Sequence, residues 1–219
     1  MKARKLMALP IVALLTLSFG QQSFAATTPF TDLNHVAAKE KIIALQEKGY
    51  VHGMDANRYM PEAVMTAAQG IQLIVNALSL EADPAQTGKP ALNVDPGEWY
   101  ADVLQIAIQN GIELSADFDP NKSWTREEFI HQLMVGMEKK NHLPMIKIAP
   151  VEFADSDELT VEYQGAIQRA IVLKIVQLDA DRKLHPKEEL TRADAAELIY
   201  HALEYLQAHP GPAADTPKL

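Results

Sequence analysis

Apolar residues recur at helical spacing in three places along the chain, each time behind a threonine. Counted from Thr66, positions +5, +8, +9 and +12 are Ile71, Ile74, Val75 and Leu78. From Thr125 they are Ile130, Leu133, Met134 and Met137, and from Thr191 they are Ala196, Ile199, Tyr200 and Leu203. An i, i+3, i+4, i+7 spacing draws one apolar stripe along a helix. Three helices with equivalent stripes bury them most economically against one another, so the pattern predicts an all-α fold with a central three-helix bundle around a pseudo-threefold axis.

The polar residues at the start of each stripe say where the helices begin. Gln69, Glu128 and Asp194 stand three residues after their threonines. This is a capping-box arrangement, in which the hydroxyl accepts from a free backbone N–H and the third side chain reaches back. Pro61, Pro120 and Pro186 stand five residues before the threonines and hold each approach extended. Trp124 and Phe129 are spaced to form a hydrophobic staple across the second cap. Helices should therefore start immediately after Thr66, Thr125 and Thr191.

An earlier helix precedes each of these. Ile42 and Leu45 lie seven and four residues before Gly49, and Leu104 and Ala107 lie likewise before Gly111. Ile167 and Ala170 keep the same offsets before Lys174. Glycine suits a left-handed helix end. Without it, the third of these helices should end differently or run on. Each segment opens on an aspartate two residues after its first position: Phe30 with Asp32, Asn93 with Asp95, and Phe153 with Asp155. The threonines are separated by 59 and 66 residues, so the chain reads as three tandem helix-loop-helix repeats. Their expected bounds are 26–80, 81–140 and 141–208, with proline-containing linkers at 80–92 and 141–151.

The ends of the chain read differently. Lys2, Arg4 and Lys5 precede an apolar run from Leu6 to Phe19, and Ser23 and Ala25 suit cleavage before Ala26. Residues 1–25 are thus expected to be a secretory signal peptide, too short for an ordinary membrane span. Residues 209–219 are a proline-rich tail, expected to be disordered. Loss of Lys2, Arg4 and Lys5, with no acid, takes the formal charge from −9 to −12. A chain this acidic is a poor general binder of nucleic acid or of an anionic membrane, so an anionic ligand must be captured by a local arginine or lysine. Cysteine is absent, which excludes disulfides, thiol catalysis and zinc–thiolate sites.

Taken in order, the motifs resemble the S-layer homology repeat family. The second segment supplies Glu98-Trp99-Tyr100-Ala101, Gly111-Ile112, Phe118-Asp119-Pro120 and Thr125-Arg126-Glu127-Glu128. The first supplies Gly49, Gly53 and Tyr59-Met60-Pro61; the third supplies Leu184-His185-Pro186 and Thr191-Arg192-Ala193-Asp194. The resemblance implies a compact module of three repeats that binds secondary cell-wall polysaccharide, often pyruvylated, in grooves between neighbouring repeats. It implies carbohydrate-binding roles for Arg126, Arg192, Asp32, Asp95, Asp155, Trp99, Gly53 and Gly111. An arginine can grip a sugar carboxylate with paired charge-assisted bonds, and a tryptophan can stack on a sugar face.

Departures from the family pattern limit these expectations. Ala67 stands where the first repeat should carry arginine, and residues 174–177 replace the glycine turn of the third. At most two competent grooves are expected, supported by Arg126 and Arg192. Zinc-protease, nucleophile-elbow and phosphate-loop patterns are missing, and Asp117 to Glu128 imitates a calcium loop without its turn glycine. The expectation is a non-catalytic, exported wall-anchoring protein with no cofactor or metal, no nucleic-acid partner and no membrane association after cleavage. A second reading stays open: degenerate repeats that serve as a protein-interaction or envelope-assembly factor with an envelope protein partner.

Overall fold

The computed structural model describes residues 29–83, 92, 94–115, 117–141, 143 and 149–210. The expected signal peptide, Asn93, most of both linkers and the tail from 211 onward lie outside the described residues. Within them the chain forms six α-helices and no sheet: α1 (Lys39–Glu47), α2 (Ala67–Ala77), α3 (Ala101–Gln109), α4 (Arg126–Asn141), α5 (Gln164–Val172) and α6 (Arg192–Ala208). None of these is long and apolar enough to cross a membrane.

Helices α2, α4 and α6 begin immediately after Thr66, Thr125 and Thr191, as the capping pattern predicts. The hydroxyls of Thr66, Thr125 and Thr191 accept from the amides of Gln69 (3.4 Å), Glu128 (3.4 Å) and Asp194 (3.1 Å). The side chains of Gln69, Glu128 and Asp194 accept in return from the threonine amides. Trp124 meets Phe129 edge-on with ring centroids 6.1 Å apart, which closes the predicted staple.

The three helix starts are tied into a ring by the backbone just before them. Met65 N–H donates to the Leu190 carbonyl (2.9 Å), Leu190 N–H to Trp124 (2.7 Å) and Trp124 N–H to Met65 (3.1 Å). The first two amides of each helix, which have no intrahelical partner, are satisfied by a neighbouring segment. Ala67 and Ala68 donate to the Lys122 and Pro120 carbonyls, Arg126 and Glu127 to Glu188 and Pro186, and Arg192 and Ala193 to Ala63 and Pro61. Each upstream proline therefore serves the neighbouring helix as an acceptor. This cyclic exchange gives the bundle its pseudo-threefold character.

Below the ring, α2, α4 and α6 pack on one another, and each outer helix covers the central helix of the preceding segment. Helix α3 lies on α2, α5 on α4, and α1 on α6. Contact between α1 and α6 joins the two ends of the described chain and closes the circle, with Lys41 paired to Glu197 across it. Ile42, Leu45, Leu104, Ala107, Ile167 and Ala170 are all buried, at the offsets read from the sequence. The central stripes are buried too, except that Tyr200 and Leu203 on α6 remain half-buried.

The end of α5 departs from expectation. Gly49 and Gly111 take positive φ (76° and 83°) after α1 and α3. Lys174 takes the same conformation (φ 60°) after α5, so this helix ends in the same way as the other two. Burial of the following Ile175 and Val176 holds the turn closed and offsets the strain of a left-handed lysine.

Candidate functional site

Clefts open at the seams where the loop after an outer helix meets the start of a neighbouring central helix. The opening aspartates build these loops. Asp32 accepts from the amides of Tyr59 (3.0 Å) and Met60 (2.7 Å), and Asp155 accepts from Leu184 (2.9 Å) and His185 (2.8 Å). Burial works to raise the Asp32 carboxyl, but the amide bonds outweigh it and hold the group below its usual value. Both carboxylates are thereby spent on backbone. Asp95 is exposed and instead accepts from Gly97 N–H at 2.9 Å.

The seam that carries Arg192 holds an open cleft of about 450 Å³. Arg192 Nε donates to the Tyr59 carbonyl (2.8 Å) and a terminal nitrogen donates to the His52 carbonyl (2.7 Å). Its guanidinium carbon sits 4.4 Å from the centroid of the Tyr59 ring. Burial depresses the Arg192 pKa, and no carboxylate forms a salt bridge with it among the described residues. These two bonds use two of the five N–H donors of a guanidinium. A half-desolvated cation, on which Asp32 acts only without direct pairing, is thus fixed at the cleft wall.

Trp99 lies on the same cleft and is 54% exposed, while its neighbour Tyr100 is buried and meets it edge-on at 5.2 Å. Gly53 also lines the cleft, where an added Cβ would fall 2.4 Å from the Asp55 carbonyl oxygen and 2.7 Å from that of Arg58. No larger residue fits this tight loop. Gln69, Gln72 and Asn76 line the wall formed by α2. The arrangement offers a fixed cation, an open aromatic face and amide donors and acceptors, which suits a polar ring carrying an anionic group.

The other two seams differ. Arg126 Nε donates to the Leu184 carbonyl (3.0 Å), and a terminal nitrogen pairs with Asp194 at 2.9 Å. Its cleft, shared with Gln177 and His201, measures only about 80 Å³. At the third seam Ala67 holds the position of the arginine and is fully buried. The cleft there is large, about 480 Å³, and is lined by Phe118, Tyr163, His131 and several carboxylates.

Of the residues singled out in the sequence, the structure brings Arg192, Trp99 and Gly53 together and leaves the rest apart. Arg126 faces a separate, narrow seam. Asp32 and Asp155 support loops, and Gly111 is a helix end against the Lys139 side chain. The sequence reading missed Tyr59, which positions Arg192, and the α2 amides. The amides were visible as polar residues at Gln69, Gln72 and Asn76, flanking the apolar stripe at helical spacing. No group of three or more His, Asp or Glu residues is placed to hold a metal among the described residues.

Comparison with known proteins places this geometry in context. The chain is 29% identical to an amylopullulanase of Thermoanaerobacterium thermosulfurigenes, over 83% of this chain and 10% of that enzyme. It is 26% identical to the surface-layer 125 kDa protein of Lysinibacillus sphaericus, over 95% of this chain and 18% of that protein. With the S-layer protein sap of Bacillus anthracis the identity is 24%, over 73% of this chain and 19% of the relative. The chain thus spans less than a fifth of the length of these relatives. What it shares with the amylopullulanase and with the two surface-layer proteins is a segment of each. Residues 152–196 match the model of the S-layer homology domain.

Proposed function

We propose that this protein anchors non-covalently to the bacterial cell wall by binding a secondary cell-wall polysaccharide, and that it is not itself catalytic. The binding unit in this reading is three tandem repeats, two of them degenerate, and the protein works outside the cell after export. The Arg192 cleft takes an acidic sugar, such as one bearing a pyruvyl ketal, with Arg192 on the carboxylate and Trp99 against the ring. The observation that carries this reading is the guanidinium of Arg192, held by two backbone carbonyls and without a salt-bridged carboxylate among the described residues, beside an exposed tryptophan. That an amylopullulanase and a surface-layer protein each match this chain over less than a fifth of their own length supports a shared attachment role.

Co-sedimentation with purified walls tests the proposal. The protein should pellet with intact walls and stay in the supernatant when the secondary polymer has been stripped. Equal retention on both would overturn it. A second reading, a protein-interaction or envelope-assembly role, is favoured by the Ala67 seam and the neutralised Arg126. Retention by walls that lack the polymer but keep their proteins would select it.

A further inference from the structure

The three seams share one backbone plan, so a difference in their side chains is a difference in what they can hold. Ala67, Arg126 and Arg192 each open a central helix and donate their amides to a neighbouring loop in the same way. Only the Ala67 seam lacks the cation. Its cleft is nonetheless the most capacious of the three, about 480 Å³ against about 450 Å³ and about 80 Å³. A lost arginine has not led to a collapsed site.

The lining of that cleft has changed sign. Glu113, Asp117, Asp119, Glu128 and Glu162 surround it, and Lys122 is the one lysine or arginine lining it among the described residues. Lys122 is already engaged by Glu128 at 2.8 Å. The wall also carries a tilted aromatic pair, His131 and Tyr163, with centroids 4.6 Å apart at 35°. Burial raises the Tyr163 phenol, and the carboxylates of Glu128, Glu162 and Glu127 push it further the same way, which reports the negative field in the cleft.

We propose that the Ala67 seam is a second carbohydrate site with inverted charge preference, which takes an amino sugar whose free amine is protonated. Exposed Glu113 and Glu162 receive the ammonium group, and the half-buried His131–Tyr163 pair supplies the face for the ring. An ammonium gains charge-assisted hydrogen bonds here that an N-acetyl group does not. An acidic sugar is repelled, so the two open seams would read opposite charges on the same wall. The inference does not depend on what the Arg192 cleft binds.

Calorimetric titration of the purified protein with two defined tetramers tests it: one of glucosamine with free, protonated amines, and its fully N-acetylated counterpart. The free-amine tetramer should bind about tenfold more tightly or better, the scale set by one or two charge-assisted bonds. Glu113→Gln with Glu162→Gln should weaken it about tenfold, whereas Glu40→Gln with Glu47→Gln, an equal change in net charge on α1, should leave it within about twofold. Arg192→Ala should leave it unchanged, which separates this site from the one proposed for the anionic sugar. Equal affinity for the two tetramers, no binding of either, an equal loss in the α1 control or a loss in Arg192→Ala would each overturn the proposal. So would equally tight binding of tetralysine, which carries the charge without the sugar ring.

Discussion

Arg192 and Tyr59 hold each other by reciprocal contacts. The guanidinium donates to the Tyr59 carbonyl at 2.8 Å and lies over the ring, and the Tyr59 hydroxyl donates to the Arg192 carbonyl at 3.0 Å. Burial keeps that phenol protonated, with its pKa pushed up to about 12. The side chain of Arg192 is thus fixed before any ligand arrives, which reduces the ordering cost of binding. Arg192→Ala should lower affinity for an acidic wall sugar at least tenfold and cost about 1–3 kcal/mol of stability, since two carbonyls lose their donor. Arg192→Lys keeps the charge but not the planar fork, so it should recover stability only in part and binding poorly. Wall-binding isotherms alongside thermal melts would separate the two effects.

The two tryptophans make opposite predictions. Trp99 is 54% exposed and Trp124 is 5% exposed. Trp99→Ala should change stability by no more than about 0.5 kcal/mol and still weaken sugar binding severalfold. Trp124→Ala removes a buried ring from the second cap and should cost about 3–5 kcal/mol. A Trp124→Phe variant leaves Trp99 as the sole tryptophan reporter. Its emission should shift on addition of the polymer if the cleft is occupied.

Arg126 occupies the same sequence position as Arg192 and has a different electrostatic partner. Its ion pair with Asp194 joins α4 to the cap of α6, and its bond to the Leu184 carbonyl fixes the third loop. Arg126→Ala should therefore lower stability by about 1–3 kcal/mol, because the Leu184 carbonyl and Asp194 both lose a charged donor. Retention on intact walls should fall far less than in Arg192→Ala. A retention loss as deep as that of Arg192→Ala would make Arg126 a binding residue.

This contrast between the arginines shows where sequence reading stops. The helix starts, staple and outer-helix core positions were legible because each rests on spacing within one helix: Thr66 with Gln69, Trp124 with Phe129, Ile42 with Leu45. The ring of Met65, Trp124 and Leu190 was not, because it joins residues far apart in the chain through backbone atoms that carry no side-chain signature. The same holds for function. Arg126 and Arg192 each follow a capping threonine, and only the tertiary placement of Asp194 beside Arg126 gives one of them a salt-bridge partner. Lys174 was misread because the missing glycine was given more weight than the buried residues behind it.

The pH response should be shaped by two histidines of opposite sense. Hydrogen bonding to Asp179 raises His185, with Glu188, Asp179 and Asp155 adding to the shift. Its stabilising contribution is therefore complete below the ordinary histidine value near 6.5 and is lost as pH rises through the higher folded value. Burial lowers His131, so its protonation is resisted by the fold and stability falls as pH drops below the same ordinary value. Melting temperatures measured across this range should flatten on its alkaline side in His185→Gln and on its acid side in His131→Gln. Unchanged profiles would show that neither histidine is linked to folding.

Lys174 offers a test in the direction of greater stability. It holds φ 60° at the end of α5, where α1 and α3 use Gly49 and Gly111. A left-handed conformation costs an L-residue roughly 1–2 kcal/mol, and glycine avoids most of that while giving back some unfolded-chain entropy. The side chain of Lys174 is exposed and appears in neither open cleft. Lys174→Gly should thus raise stability by about 0.5–1 kcal/mol and leave wall binding untouched. Chemical denaturation midpoints would check it. A lower midpoint would mean that Lys174 makes a stabilising interaction that outweighs its strain, and that the third loop is held by more than the burial of Ile175 and Val176.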